Sequence, residues 1–384
     1  MIEYIKCSLS EMIDLNYDNT RVLIDLDAVS HNIDAVRQKA GVPVMAVIKA
    51  DAYGHGAVEV AKRLEKCGAD YLAIACLDEA LELRRSGVNM PILILGHTPP
   101  EYVKELLDNA LTQTVSCEAK AIEYSEAART LGGTLKIHIK LDTGMSRLGY
   151  LCAGAYFDEG VKNVVSTCRM PNLDVEGVYT HFAVSDFIDK DSMEYTEKQF
   201  ELFCEVIAAA EEKGVHFAIR HCANSGAVIN HPGMMLDMVR PGLLLYGYGD
   251  DGKLGLKPAM RMISTISTIK YYEPDTCISY CRHFVTKKRT RMGVVAAGYA
   301  DGLPWAAANK CSFFTEGGFA PQRGNICMDM CMIDISDVPN AAVGSEVELF
   351  GEKASILDLA EAAGTIPYEL LCAVSKRVPR VYIP

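Results

Sequence analysis

Residues 43–56 read PVMAVIKADAYGHG, an apolar run that ends in one lysine, Lys49, and runs on into a glycine-flanked turn. A continuous apolar run bounded by turn residues suits a strand buried on both faces, as in a parallel sheet covered by helices. The run is the first of eight. The others are YLAIAC (71–76), PILILG (91–96), LTQTV (111–115), LKIHIKLD (135–142), LDVEGVYTHF (173–182), FAIRHCA (217–223) and LLLYG (243–247). Helix-like segments lie between them. In the clearest, 194–213, Phe200, Phe203, Val206, Ile207 and Ala210 recur at helical spacing and Gly214 supplies a stop. Eight strand–helix units predict an α/β fold, an N-terminal (β/α)8 TIM-type barrel. After Gly249 the pattern shifts to short strands without long helices between them, which predicts a C-terminal, mostly-β domain. The expected division is 1–250 for the barrel and 251–384 for the β-domain, with the first dozen or so residues left free to pack on the latter.

Composition sets the function classes. The 384 residues are 49% hydrophobic and 23% charged, an ordinary globular make-up, and the net charge of −12 opposes a nucleic-acid partner. The densest basic stretch, TKKRTR (286–291), reads as a solvated turn. No apolar run reaches 18 residues and no export signal is visible, so the expectation is a cytoplasmic protein without a membrane segment. The 14 cysteines are scattered without paired spacing and read as small core residues. Cys277, Cys281 and His283, or Cys327 and Cys331, have metal-binding atoms but lie in strand-like sequence, and no metal site is expected.

In such a barrel the reactive site lies at the C-terminal ends of the strands, where Lys49 sits. Position alone favours a solvated lysine. Other strand ends, however, supply Arg147, His181, Asn224 and Ser225, and VRPG supplies Arg240 and Gly242. Polar groups from five strands converge on one mouth.

The motifs AVIKADAYGHG, KLDTGMSRLG, VRPGLLLYG, SYC with AAGYADGLP, GNICMDM and RVPRVY, in that order from about residue 20 to the C-terminus, resemble the alanine racemase family. The resemblance implies a pyridoxal 5'-phosphate (PLP) enzyme that interconverts L- and D-alanine, with D-alanine destined for peptidoglycan. It also implies a homodimer whose active sites are shared between subunits. Lys49 is then the lysine that condenses with the PLP aldehyde. Tyr53, Ser225, the amides of Gly242 and Leu243, and Tyr368 match the phosphate cradle, with Asn224 beside it. Arg240 matches the residue facing the pyridine nitrogen. With its high pKa it donates a hydrogen bond but hardly a proton, which weakens the ring as an electron sink and favours racemisation over transamination.

Racemisation needs a base on each face of the substrate, and the resemblance assigns these roles to Lys49 and to Tyr280 of the partner subunit, with His181 and Arg240 as neighbours of the tyrosine. Arg147 matches a contact to the substrate carboxylate and the cofactor's phenolic oxygen, and Lys140 matches a lysine that many relatives carbamylate to hold that arginine. Met328 and Asp329 match second-subunit contacts to the amino-acid substrate.

The chain departs from the family pattern at Cys281–Phe284, at Trp305 and at Asn325. These changes bear on substrate breadth and turnover. Serine or broader specificity is the alternative within the family. A non-catalytic PLP carrier is the alternative outside it, disfavoured by the intact β-domain. Tyr368 leaves little room beyond a methyl side chain, although an apolar pocket rejects an added hydroxyl by only about 1–3 kcal/mol.

Overall fold

The computed structural model describes residues 20–384, so the segment expected to pack on the β-domain, the first dozen residues, lies outside the described residues. Two compact units emerge, one spanning Leu26–Lys257 and the other joining residues 20–25 with Pro258–Pro384.

The chain opens with β1 (Arg21–Asp25), whose residues alternate between buried and half-buried. The sequence pattern assigns 1–250 to the barrel. β1 departs from that, since it pairs antiparallel with β10 (Met260–Tyr272) and parallel with the C-terminal strand Arg380–Ile383. Alternation marks a sheet with one covered face, unlike the continuous burial of the first four barrel strands.

Within 26–257 the parallel strands run β2 (Met45–Val47), β3 (Tyr71–Ile74), β4 (Ile92–Ile94), β5 (Thr112–Val115), β6 (Leu135–Asp142), β8 (Leu173–Tyr179) and β9 (Ile219–His221), the short β7 (Tyr150–Leu151) flanking β6. Strands β2 to β5 are buried at every position, which explains the unbroken apolar reading of β2 to β4, while β5 keeps Thr112, Gln113 and Thr114 inside. The predicted helix at 194–213 runs Lys190–Glu211. The Asp189 side chain caps it, Phe203, Val206, Ile207 and Ala210 face inward, and Gly214 stops it at φ +80°.

The eighth position differs from the sequence expectation. LLLYG forms a 3-10 helix, Leu243–Tyr246, closed by Gly247 in the left-handed region. The barrel is closed instead by Val239 and Arg240, which bridge Val44 on one side and Asn224 on the other in parallel. Met45 N–H donates to Val239 O at 2.8 Å, Val47 N–H to Pro241 O at 3.0 Å, and Arg240 N–H to Ala223 O at 2.8 Å. A short apolar run does not distinguish strand from helix. The true closing segment escapes the pattern because it carries an arginine into the interior.

In the second unit, strands β13 (Thr290–Val295), β14 (Ser312–Thr315), β15 (Gly318–Arg323), β16 (Cys331–Asp334) and β17 (Glu346–Phe350) join β10, and a further β10–β13 pairing closes the sheet on itself. β1 and then the edge strand β18 (Arg380–Ile383) extend it beyond β10. β11 (Cys277–Ile278) and β12 (Phe284–Val285) form a separate hairpin. The motif stretch NICMDM (325–330) is loop, and β16 begins at Cys331.

Candidate active site

Lys49 leaves the end of β2 and enters an unusual turn. Ala50, Asp51, Ala52 and Tyr53 all have φ +54°, a left-handed turn made without glycine. L-residues resist this conformation by on the order of 1–2 kcal/mol each. Carboxylates tie the turn down. Ala50 N–H donates to Glu79 Oε1 at 2.6 Å, Ala75 N–H to Glu79 Oε2 at 2.7 Å, and Ala57 N–H to Asp51 Oδ1 at 2.7 Å. Glu79 thus clamps the backbone just beyond Lys49 to the end of β3.

The turn delivers Tyr53 to the other side of the mouth, where its ring lies 5.0 Å from that of Tyr246. Its hydroxyl approaches Gly242 so closely that a Cβ there would lie 2.6 Å from it. Gly242 N–H in turn donates to Ser225 Oγ at 2.9 Å. Asn224, next to Ser225, uses its Oδ1 to cap Ala227 N–H and to accept from Ser185 Oγ at 2.7 Å. Tyr53, Ser225, Gly242 and the start of the turn at Leu243 therefore form one small cluster of hydroxyls and amides.

Cations gather beside it. Arg147 is exposed on the loop after β6, which Asp142 Oδ1 shapes by accepting from Gly144 and Ser146 N–H at 3.0 and 2.9 Å. Lys140 is buried, and its pKa falls to about 8 through that burial and through the charges of Arg147 and Arg240. His181 is driven well below its ordinary value by desolvation and then by Arg240, Lys140, Arg147 and Lys49. Four cationic side chains thus act on one histidine. In a chain of net charge −12, these cations make the mouth locally attractive to anions.

Arg240 lies beneath, 4% exposed. It donates from Nη2 to Thr180 O at 2.6 Å and Cys222 O at 3.1 Å, and from Nη1 to His221 Nδ1 at 2.8 Å, with His181 Nδ1 at 3.5 Å from Nη2.

The remaining predicted residues belong to the second unit. Tyr280, 72% exposed, stands at the tip of the β11–β12 hairpin, between Ser279 and Cys281, both at positive φ. Ser279 Oγ donates to Asn325 O at 2.7 Å and so ties this tip to the 325–330 loop. Met328 is exposed on that loop, and Asp329 pairs with Arg377 at 2.9 Å. Arg377 also holds Asp301 at 2.8 Å, so one side chain links RVPRVY, AAGYADGLP and GNICMDM. Tyr368 sits half-buried on the helix Pro367–Ala373. Of the departures, Asn325 is buried with its Oδ1 3.2 Å from His283 Nδ1, while Trp305 is exposed.

Comparison with known proteins agrees with this geometry. Residues 24–250 match the family model described as alanine racemase, N-terminal domain, and 259–382 match alanine racemase, C-terminal domain. The chain belongs to the alanine racemase family. It is 41% identical over 374 residues to alanine racemase 2 of Caldanaerobacter subterraneus subsp. tengcongensis, covering 95% of each chain. Among solved structures it resembles the alanine racemase of Clostridium difficile 630 (TM-score 0.89, 38% identity, 96% of each chain). It also resembles that of Bacillus anthracis with bound L-Ala-P (TM-score 0.87, 34% identity, 96% of each chain).

As an alanine racemase family member the chain carries its chemistry in motifs, yet several residues that hold those motifs in place have no motif of their own. Glu79 lies in an ordinary amphipathic helix. His138 and His221 lie inside the strand runs LKIHIKLD and FAIRHCA with nothing in the pattern to single them out. Pairing of β6, β8 and β9 is what brings His138 and His221 together with Glu176.

Proposed function

We propose that the chain interconverts L- and D-alanine with PLP held on Lys49, as a cytoplasmic homodimer that supplies D-alanine for peptidoglycan. The supporting observation is the barrel mouth itself, where a strand-end lysine, a hydroxyl-and-amide cluster and a donor-only arginine meet in a cationic setting. These residues suit PLP. Tyr53, Ser225 and the amides of Gly242 and Leu243 would hold its phosphate, and Arg240 would donate to its ring nitrogen. When bound, PLP supplies an aldehyde for the lysine and a ring that acidifies the substrate Cα.

The chain's own residues do the rest. Lys49 moves the proton at Cα on one face, and Tyr280 of the partner subunit moves it on the other. Arg147 binds the substrate carboxylate, aided by Met328 and Asp329 of the partner subunit. Lys140, with a neutral fraction at its lowered pKa, adds CO2. A nitrogen–carbon bond forms, a proton leaves the amine, and the resulting carbamate anion holds Arg147.

A D-amino-acid oxidase assay over alanine, serine and other amino acids tests the reading. Alanine is expected to turn over best, serine measurably, and Lys49→Ala not at all. Turnover retained in Lys49→Ala, or none with any amino acid in the PLP-loaded wild type, would overturn it.

A further inference from the structure

Arg240, on which the proposed chemistry leans, is itself held by a largely buried relay of side chains from β9, β6 and β8. An arginine can only donate hydrogen bonds. Its Nη1 lies 2.8 Å from His221 Nδ1, so that nitrogen is unprotonated. A neutral His221 then carries its proton on Nε2, which lies 2.8 Å from His138 Nδ1. That atom must accept, which puts the His138 proton on Nε2, 3.0 Å from Glu176 Oε2. A carboxylate can only accept. The relay therefore begins in a donor-only group and ends in an acceptor-only group, and both imidazole tautomers between them are dictated. Reversing either ring would set two protons, or two lone pairs, face to face.

The surroundings are built for this arrangement. Both rings are fully buried, where a neutral imidazole is the favoured form. Tyr179 stacks on His221 with centroids 4.8 Å apart and an interplanar angle of 15°. Gly177 makes room for His138, since a Cβ there would lie 2.8 Å from its Cε1. Burial pushes the Glu176 carboxyl up, but hydrogen bonds from His138, Lys136 and Tyr71 outweigh it and hold the pKa at about 2. Tyr71 also meets Thr112 Oγ1 at 2.6 Å.

We propose that Glu176 and His138 are positioning residues for the racemase reaction, which fix the tautomer of His221 and through it the orientation of the Arg240 guanidinium. The proposal rests on the reading that Arg240 faces the cofactor ring, but its structural half does not. Glu176→Leu removes the acceptor while Glu176→Gln keeps an oxygen toward His138. Nitrogen-15 NMR of histidine-labelled enzyme, without cofactor and then loaded, reads which ring nitrogens carry protons.

In the wild type, Nε2 of both His221 and His138 is expected to be protonated and Nδ1 bare. Glu176→Leu should mix the tautomers at both rings and lower kcat by about 10- to 100-fold, the usual cost of losing a partner that orients a catalytic group. Glu176→Gln should keep the wild-type tautomers and stay within about threefold in kcat. A protonated His221 Nδ1 in the wild type overturns the proposal even if the leucine variant fails to fold. So does a Glu176→Leu enzyme with unchanged tautomers and kcat, or a glutamine variant as impaired as the leucine one. An enzyme inactive on alanine would sink the functional reading, while the tautomers measured without cofactor still decide this one.

Discussion

Gly242 has no room for a side chain, because the Tyr53 hydroxyl occupies the place of its Cβ. Gly242→Ala is therefore expected to displace that hydroxyl while leaving the barrel folded. Losing one hydrogen bond to a charged phosphate costs about 1.5–3 kcal/mol, so the Kd for PLP should rise roughly 10- to 100-fold in a spectrophotometric titration. Unchanged affinity would mean that the phosphate lies elsewhere. Tyr280 makes a directional prediction, since the family arrangement gives the lysine to D-alanine and the tyrosine to L-alanine. In Tyr280→Phe, deuterium washout from Cα of D-alanine should persist, whereas washout from L-alanine drops by about 100- to 10,000-fold. Equal loss for both enantiomers would make Tyr280 a positioning group and refute the two-base scheme.

The left-handed turn Ala50–Tyr53 is strained at each of its four residues, and Glu79 is the most direct restraint on its first amide. Glu79→Ala should free the Ala50 and Ala75 N–H groups and let the turn open. Hydrogen exchange at 50–53 should accelerate, kcat should fall, and Glu79→Gln should lie between the two. Exchange rates equal to wild type would show that the turn is held by packing alone. Elements of this kind mark the limit of what sequence can reveal. Lys49, Tyr53, Arg240 and Tyr280 stand in motifs, and the strands β2 to β4 announce themselves because burial on both faces makes them apolar throughout. Val239–Pro241 does not, because a barrel-closing segment with Arg240 pointing inward has no apolar pattern to show. Glu79 and Glu176 are invisible for a different reason. Their partners lie 29 and 38 residues away in sequence, and only the folded strand order makes them neighbours.

The barrel as a whole hides titratable groups, which gives the molecule a predictable weakness to acid. His181 and His221 are both driven well below the ordinary histidine range, by desolvation first and by the Arg240 charge second, and burial lowers His138 in the same direction. A group whose folded pKa is depressed takes up its proton on unfolding. Its stabilising share is complete above the unfolded value, about 6.5, and is lost as pH falls below it. Between pH 7 and 5.5, His181 and His221 should each lower the stability of the cofactor-free protein, by on the order of 1 kcal/mol. Ordinary carboxylates titrate lower, and Glu176, held at about 2, adds its loss only below about pH 4.5. Urea unfolding followed by the helical circular dichroism signal checks this, the midpoint falling steadily from pH 7 to 5.5. A flat profile would mean that these rings accept protons while folded. A donor-only arginine 2.8 Å from His221 forbids that, so the same result would also unseat the relay of fixed tautomers beneath the site.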